Sequence, residues 1–166
     1  MLQIIHNIQQ ISYSALMLVC RESIIHSGKQ NYPGFSEAEQ LIQAENDLYD
    51  YLTTMFQTDS KAICAVWVAE GSYKAILRLE EYRDGLLLNS LETAPEARRK
   101  GYGSLLVQNT LLQFPNINIY CHIHRNNKAS IALHEKCGFC KIADSSLLLD
   151  GSFVRNYYTY CYHSHA

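Results

Sequence analysis

LETAPEARRKGYGSLL, residues 91–106, decides how the rest of the chain is read. A strand ends here, a turn containing Pro95 follows, and Arg98-Arg99-Lys100 leads into Gly101-Tyr102-Gly103 at the start of an amphipathic helix. The first N–H groups of a helix have no partner within it and carry partial positive charge, so such a terminus seats anions. The two glycines let a ligand approach the backbone, and three adjacent cations add a field suited to a diphosphate. The segment therefore predicts a phosphate-bearing ligand. Two motifs are excluded by spacing. A Walker A loop needs Gly-Lys-Ser/Thr, whereas Lys100 precedes Gly101; a dinucleotide fingerprint needs a third glycine where Leu106 stands.

Working outward, the strand LLLNSLET (86–93) is the third of a meander with KAICAVWVAE (61–70) and YKAILRLEEY (73–82), joined by turns at Gly71-Ser72 and Arg83-Asp84-Gly85. Downstream, the helix Arg98–Phe114 stops at Pro115. The strand INIYCHIHR (117–125), the helix NNKASIALHEKCG (126–138) and the strand FCKIADSSLLL (139–149) follow, and Asp150-Gly151 turns into a last strand, FVRNYYTYCYH (153–163). Upstream, LQIIHNI reads as a short strand, Gln10–Ile25 as an amphipathic helix and Ser27–Phe35 as a loop. Ser36 with Glu39 forms a capping box for a helix running to about Gln57. The pattern predicts a mixed α/β sheet flanked by helices in one domain, 1–166: a helical region at 1–60, a core at 61–140 and a C-terminal strand pair at 141–166.

With 166 residues, 48% hydrophobic and 18% charged, the chain can bury a proper core. A net charge of −2 gives no reason to expect nucleic acid. No apolar run approaches the ~18 residues of a membrane span and no signal peptide is evident, so no membrane association and a cytoplasmic location are expected. The six cysteines are then expected to be free thiols rather than a disulfide framework.

A second motif supports the first. Arg98-x-x-Gly101-x-Gly103 resembles the acetyl-coenzyme A pyrophosphate loop of the GCN5-related N-acetyltransferase (GNAT) family, and Asn127-Lys-Ala-Ser130-Ile-Ala-Leu133-His134-Glu-Lys136-Cys-Gly138-Phe139 is similar to that family's second cofactor element, one strand later. The resemblance covers Lys61–Phe139 and implies a splayed central sheet with acetyl-CoA wedged between strands 86–93 and 117–125. It implies that main-chain groups of Leu91, Glu92 and Thr93 hold pantetheine. The pyrophosphate would lie on backbone N–H groups of Arg99, Lys100, Gly101, Tyr102, Gly103 and Ser104, framed by Arg98. Asn127 and Ser130 would touch the pantetheine arm and Lys136 the phosphoadenosine end. Thr93 stands where the family usually has Val.

The implied activity is transfer of an acetyl group to a primary amine in a ternary complex, without metal or enzyme nucleophile. Such transfer needs a base for the amine, donors for the developing oxyanion and, for the leaving thiolate, a proton. Glu92, beside the implied thioester position, is the candidate base; an exposed strand carboxylate is its plain alternative. His134, where the family often has Tyr, is the candidate acid if its surroundings raise its pKa, and otherwise a hydrogen-bonding or packing residue. Tyr157, Tyr158 and Tyr160 are substitutes. Glu80, Glu81 and Asp84 are alternative bases, expected rather to bear on acceptor charge preference.

The acceptor is a small-molecule or protein amine, and the acidic helix after Ser36 reads either as a solvated face or as a wall favouring a cationic acceptor. A homodimer through the Tyr-rich last strand stays open. A non-catalytic acyl-CoA-binding domain is the alternative function, because the loop binds without doing chemistry. Cys137-x-x-Cys140 has the spacing of a zinc or redox site, but it lacks a second pair and closes a helix rather than opening one. In YCHIHR the alternation puts Cys121 and Ile123 on one face and His122 and His124 on the other.

Overall fold

The computed structural model describes residues 1–163, so the last three residues of the expected C-terminal strand region lie outside it. The strands are β1 (Leu2–Ile5), β2 (Ile63–Ala69), β3 (Ser72–Tyr82), β4 (Gly85–Thr93), β5 (Ile119–His124), β6 (Cys140–Ala143), β7 (Ser146–Leu147), β8 (Phe153–Val154) and β9 (Tyr157–Tyr162). The α-helices are α1 (Tyr13–Val19), α2 (Arg21–Asn31), α3 (Glu37–Thr58), α4 (Tyr102–Leu111) and α5 (Lys128–Lys136). Seven strands form one mixed sheet in the order β1-β2-β3-β4-β5-β9-β6, and β7 and β8 form a separate hairpin.

The meander forms as its pattern predicts. Glu70 and Gly71 both take positive φ, the geometry of a tight hairpin turn. β5 returns parallel to β4 through α4, but the two pair only where Leu86–Leu88 meet Ile119–Cys121. Beyond Leu88 they separate, which is the expected splay. On one face α4 packs Leu106 and Val107 against Leu77, Leu79 and Leu88; on the other, Leu16, Val19, Leu52 and Met55 of α1 and α3 cover Val66 and Ile76. Among the described residues, no helix is long and apolar enough to cross a membrane.

Four sequence expectations change. The helix at Gln10–Ile25 is two helices, because Cys20 (φ −88°, ψ 6°) ends α1 and starts α2. α2 continues through most of the expected Ser27–Phe35 loop. Its Gly28 serves close approach rather than a turn: a Cβ there would lie 2.6 Å from the Gln40 carbonyl oxygen. α4 starts at Tyr102, four residues later than expected, because Arg99 and Gly101 are left-handed. The two C-terminal strands each break, giving β6 and β7 before the turn and β8 and β9 after it. The Ser36–Glu39 capping box is present: Ser36 Oγ accepts from Glu39 N at 3.4 Å and Glu39 Oε2 from Ser36 N at 2.9 Å.

Gly28→Ala would force α2 off α3. The backbone atom it meets cannot swing away, so overpacking should outweigh the gain in helix propensity. The expected cost is about 2 kcal/mol, read as a Tm lowered by roughly 6 °C in thermal unfolding.

Candidate active site

The end of β4, the loop after it and the start of α4 form one wall of the splay. Gly101 caps α4 with φ 83° and open space around its missing Cβ, so conformation rather than crowding requires glycine there. No side chain caps this helix, leaving its first-turn N–H groups available to an anion. Gly103 serves crowding instead: its Cβ would meet Leu133 Cδ1 and Thr93 Oγ1, each at 3.2 Å. That close approach brings α4, the end of β4 and α5 together. Arg98 Nε donates to the Thr93 carbonyl at 3.3 Å, and Arg98 Nη2 pairs with Glu22 of α2 at 2.6 Å. Arg99 and Lys100 are exposed, and neither has an ion-pair partner among the described residues. Tyr102 and Ser104 are half-buried.

α5 forms the opposite wall. Asn127 caps it, Oδ1 accepting from Ser130 N at 3.1 Å. His134 is 2% exposed, stacked edge-on to Phe139. Its Nδ1 lies 2.8 Å from the Ser130 carbonyl and 3.2 Å from Ser130 Oγ. A carbonyl only accepts, so Nδ1 carries the proton and the neutral ring keeps a lone pair at Nε2, which is buried without a partner. Burial holds the pKa below the ordinary value, outweighing the Ser130 contact. This geometry offers acceptance, not donation, at Nε2. Lys136 is exposed at the far end of α5, two turns from Asn127.

On the α1–α3 face, Glu92 is half-buried, and Ser23 Oγ reaches both its carboxylate oxygens at 2.9 and 2.8 Å. Glu92, Arg78, Ser90 and Cys20 border a cavity of about 20 Å³, the size of one water. Here β4 carries a bulge: Leu79 pairs with Leu88 and Leu77 with Leu91, so Asn89 and Ser90 stand opposite Arg78 alone. The extra residue keeps both Leu88 and Leu91 on the α4 face. Ser90 has φ 135°, which costs a non-glycine residue about 1–3 kcal/mol.

Around the bulge lies a closed polar ring. Arg78 Nε and Nη2 donate to the Asn89 carbonyl at 3.3 and 3.1 Å, while its guanidinium sits 4.7 Å from the Tyr51 ring centroid. Tyr51 OH donates to Glu80 at 2.5 Å; Asn89 Nδ2 donates to Glu80 at 2.5 Å and to Tyr51 OH at 3.0 Å. Burial and the neighbouring Glu80 push the Tyr51 phenol upward.

The structure thus gathers Leu91, Glu92, Thr93, Arg98 and the loop to Ser104 around one strand end, with Asn127, Ser130 and His134 on α5. Sequence reasoning missed Ser23, Tyr51, Arg78, Asn89 and Ser90. Arg78 alone left a signal, as a lone cation in the apolar strand AILRLEEY. Two of the five acidic side chains of α3 have local partners: Glu39 in its cap and Asp47 accepting from Tyr32 at 2.7 Å. Among the described residues, no three His, Cys, Asp or Glu side chains are placed to hold a metal.

Cys121 and Ile123 face the α4 side, which puts His122 opposite, edge-on to Tyr82. Burial, with Arg83 nearby, lowers the His122 pKa to about 4. The unfolded chain takes up that proton near ~6.5, so the neutral ring stabilises the fold above pH ~6.5, and this contribution is lost as pH falls towards about 4. The loss should be on the order of 2 kcal/mol, reduced in His122→Gln, and visible in Tm measured against pH. A His122 ring that titrates near 6.5 by NMR would contradict this burial effect.

The sequence profile of the acetyltransferase (GNAT) family matches residues 28–139. No curated protein matches the chain. Solved structures share the fold at low identity. The ribosomal-protein-S18-alanine N-acetyltransferase from Escherichia coli has a TM-score of 0.61 at 16% identity, covering 100% of this chain and 96% of that one. The PaiA N-acetyltransferase from Thermoplasma acidophilum, in complex with coenzyme A, has 0.64 at 18%, covering 98% and 99%. The IAA acetyltransferase from Bacillus cereus has 0.60 at 16%, covering 98% of each. With the profile spanning well over half its length, the chain belongs to the GNAT acetyltransferase family.

Proposed function

We propose that the protein transfers the acetyl group of acetyl-CoA to a primary amine by direct attack in a ternary complex. One observation carries this reading. The free edge of β4 beyond Leu88 leads through the 94–101 loop into an uncapped, cation-flanked helix N-terminus, with the carboxylate of Glu92 at the strand end. Bound there, acetyl-CoA supplies an activated thioester, and the chain's own groups do the rest. Main-chain groups of Leu91–Thr93 on the edge of β4 away from β3 hold the pantetheine arm as an added strand would. The N–H groups of residues 99–104 hold the pyrophosphate, with Arg99 and Lys100 neutralising its charge and Arg98 framing the loop. Asn127 and Ser130 border the arm from α5, and Lys136 lies towards the phosphoadenosine end.

Glu92 takes the amine's proton, directly or through a water in the adjoining cavity, and Ser23 orients the carboxylate. His134, with a lone pair at Nε2, accepts a hydrogen bond rather than delivering a proton. A simple thiol titrates near ~8.5, so the departing thiolate can take its proton from solvent. The acceptor is a small-molecule or protein amine. Its ammonium is met by Glu92 at the strand end.

A non-catalytic acyl-CoA-binding role is the second reading, favoured by the engagement of Glu92 with Ser23 and the absence of a proton on His134 Nε2. A thiol-release assay over a panel of amines separates the two: cofactor binding without turnover on any amine would leave only the second. Glu92→Gln should lower kcat about 100-fold with CoA affinity near wild type. Turnover equal to wild type would remove Glu92 from the proton path. Gly101→Ala must place a Cβ at φ 83° and should weaken CoA binding about tenfold by calorimetry.

A further inference from the structure

Ser90 holds a conformation that serine avoids, so something must keep it there. Relaxing φ from 135° would let β4 re-pair with β3 in a regular ladder and turn Glu92 and Leu91 onto each other's faces. What stands against relaxation is the ring around the bulge. Arg78 fills both acceptor directions of the Asn89 carbonyl with two N–H groups, satisfying an oxygen that the bulge removes from the β3 ladder. Asn89 is held at its other end too, its amide giving both hydrogens to Glu80 and Tyr51. Glu80 is 7% exposed, and its carboxylate oxygens are taken one each by Tyr51 and Asn89. The Tyr51 ring lies under the Arg78 guanidinium, closing the ring onto α3. Arg78, Asn89, Glu80 and Tyr51 are thus linked by five hydrogen bonds and closed by the ring contact, and a connected polar network of this kind favours one arrangement.

We infer that Arg78, Tyr51 and Glu80 are positioning residues that lock Ser90 in its strained conformation, and so fix the main chain of Ser90 and Leu91 and the direction of Glu92 for acetyl transfer. The inference rests on the acetyltransferase reading for its effect on rate, but not for its effect on the backbone. None of the three touches the reacting atoms. Their work is to make a conformation that serine disfavours the only one available.

Glycine adopts φ 135° without strain, which gives a test by rescue. Arg78→Gln should lower kcat at least tenfold and weaken CoA binding several-fold, because the main chain of Leu91 also holds the pantetheine arm. Tyr51→Phe, which keeps the ring but breaks both hydrogen bonds of the hydroxyl, should lower kcat several-fold. Ser90→Gly alone should raise the melting temperature. Adding Ser90→Gly to Arg78→Gln should restore kcat several-fold, because the bulge no longer needs a lock. In parallel, the Leu91 amide resonance should shift in Arg78→Gln and move back towards its wild-type position in the double variant. This readout needs no turnover, so a wild-type chain that binds CoA and acetylates nothing would sink the enzyme reading while the resonance still tests the lock. A double variant as slow as Arg78→Gln, or a Leu91 resonance unmoved by Arg78→Gln, would overturn the inference.

Discussion

The structure depends on one failure to pair. β4 and β5 share three residues of parallel ladder and then part, although both continue for several residues more. Backbone N–H and C=O groups left this way need partners, and inside a protein the cost of leaving them without is high. Phe139 and the α5 side chains Ile131 and Leu133 share a core cluster with Ile119, Cys121 and Ile123 of β5, and the bulge at Asn89–Ser90 shifts the register of β4 against β3. The result is a slot lined with main-chain groups, open along one edge and ending at a positively polarised helix terminus. A long, thin ligand with an anionic middle is the chemical complement of that slot.

The thiols narrow the chemistry further. Burial pushes the Cys64 thiol to about 12 and that of Cys161 to about 11, and Cys20 and Cys121 are raised further still by the same cause. Cys20 borders the cavity beside Glu92, yet at neutral pH it is no thiolate and cannot carry an acyl group. The neighbouring Glu92 charge adds to the burial effect there. Cys20 therefore offers no thiolate to take up an acetyl group beside Glu92.

Much of the fold was legible from periodicity alone. The meander, the order of later strands and helices, and the Ser36 cap all arise from interactions within a few residues of one another. Misreadings fell where tertiary contact assigns a residue's job. Gly28 reads as a loop signal because a helix interior disfavours glycine, yet the Gln40 backbone demands it. Gly103 reads as room for a ligand, yet Leu133 and Thr93 occupy that room. At the site, the glycine turn into α4 was legible because its spacing is local. The ring of Tyr51, Arg78, Glu80 and Asn89 was not, since Tyr51 arrives from a helix some thirty positions upstream of its partners. His134 shows a third limit. Its identity is in the sequence, but its proton is placed by a carbonyl one turn earlier and by burial that only the packed fold supplies.

The first turn of α2 joins the two halves of the site. Glu22 reaches the Arg98 guanidinium that frames the anion loop, and Ser23, the next residue, holds the carboxylate of Glu92. Adjacent positions on a helix point about 100° apart, so one turn can address both the end of β4 and the loop beyond it. Arg98 also ties itself to the Thr93 carbonyl, one of the main-chain groups bordering the slot. Arg98 of the loop and the carboxylate of Glu92 are thus fastened to one helical turn, which starts at Cys20 with no helix continuing through it. The break that divides α1 from α2 gives that turn its own orientation, separate from the helix that covers the sheet. A continuous helix over residues 10–25 would carry Glu22 and Ser23 along the axis of α1, and the two contacts could not form together.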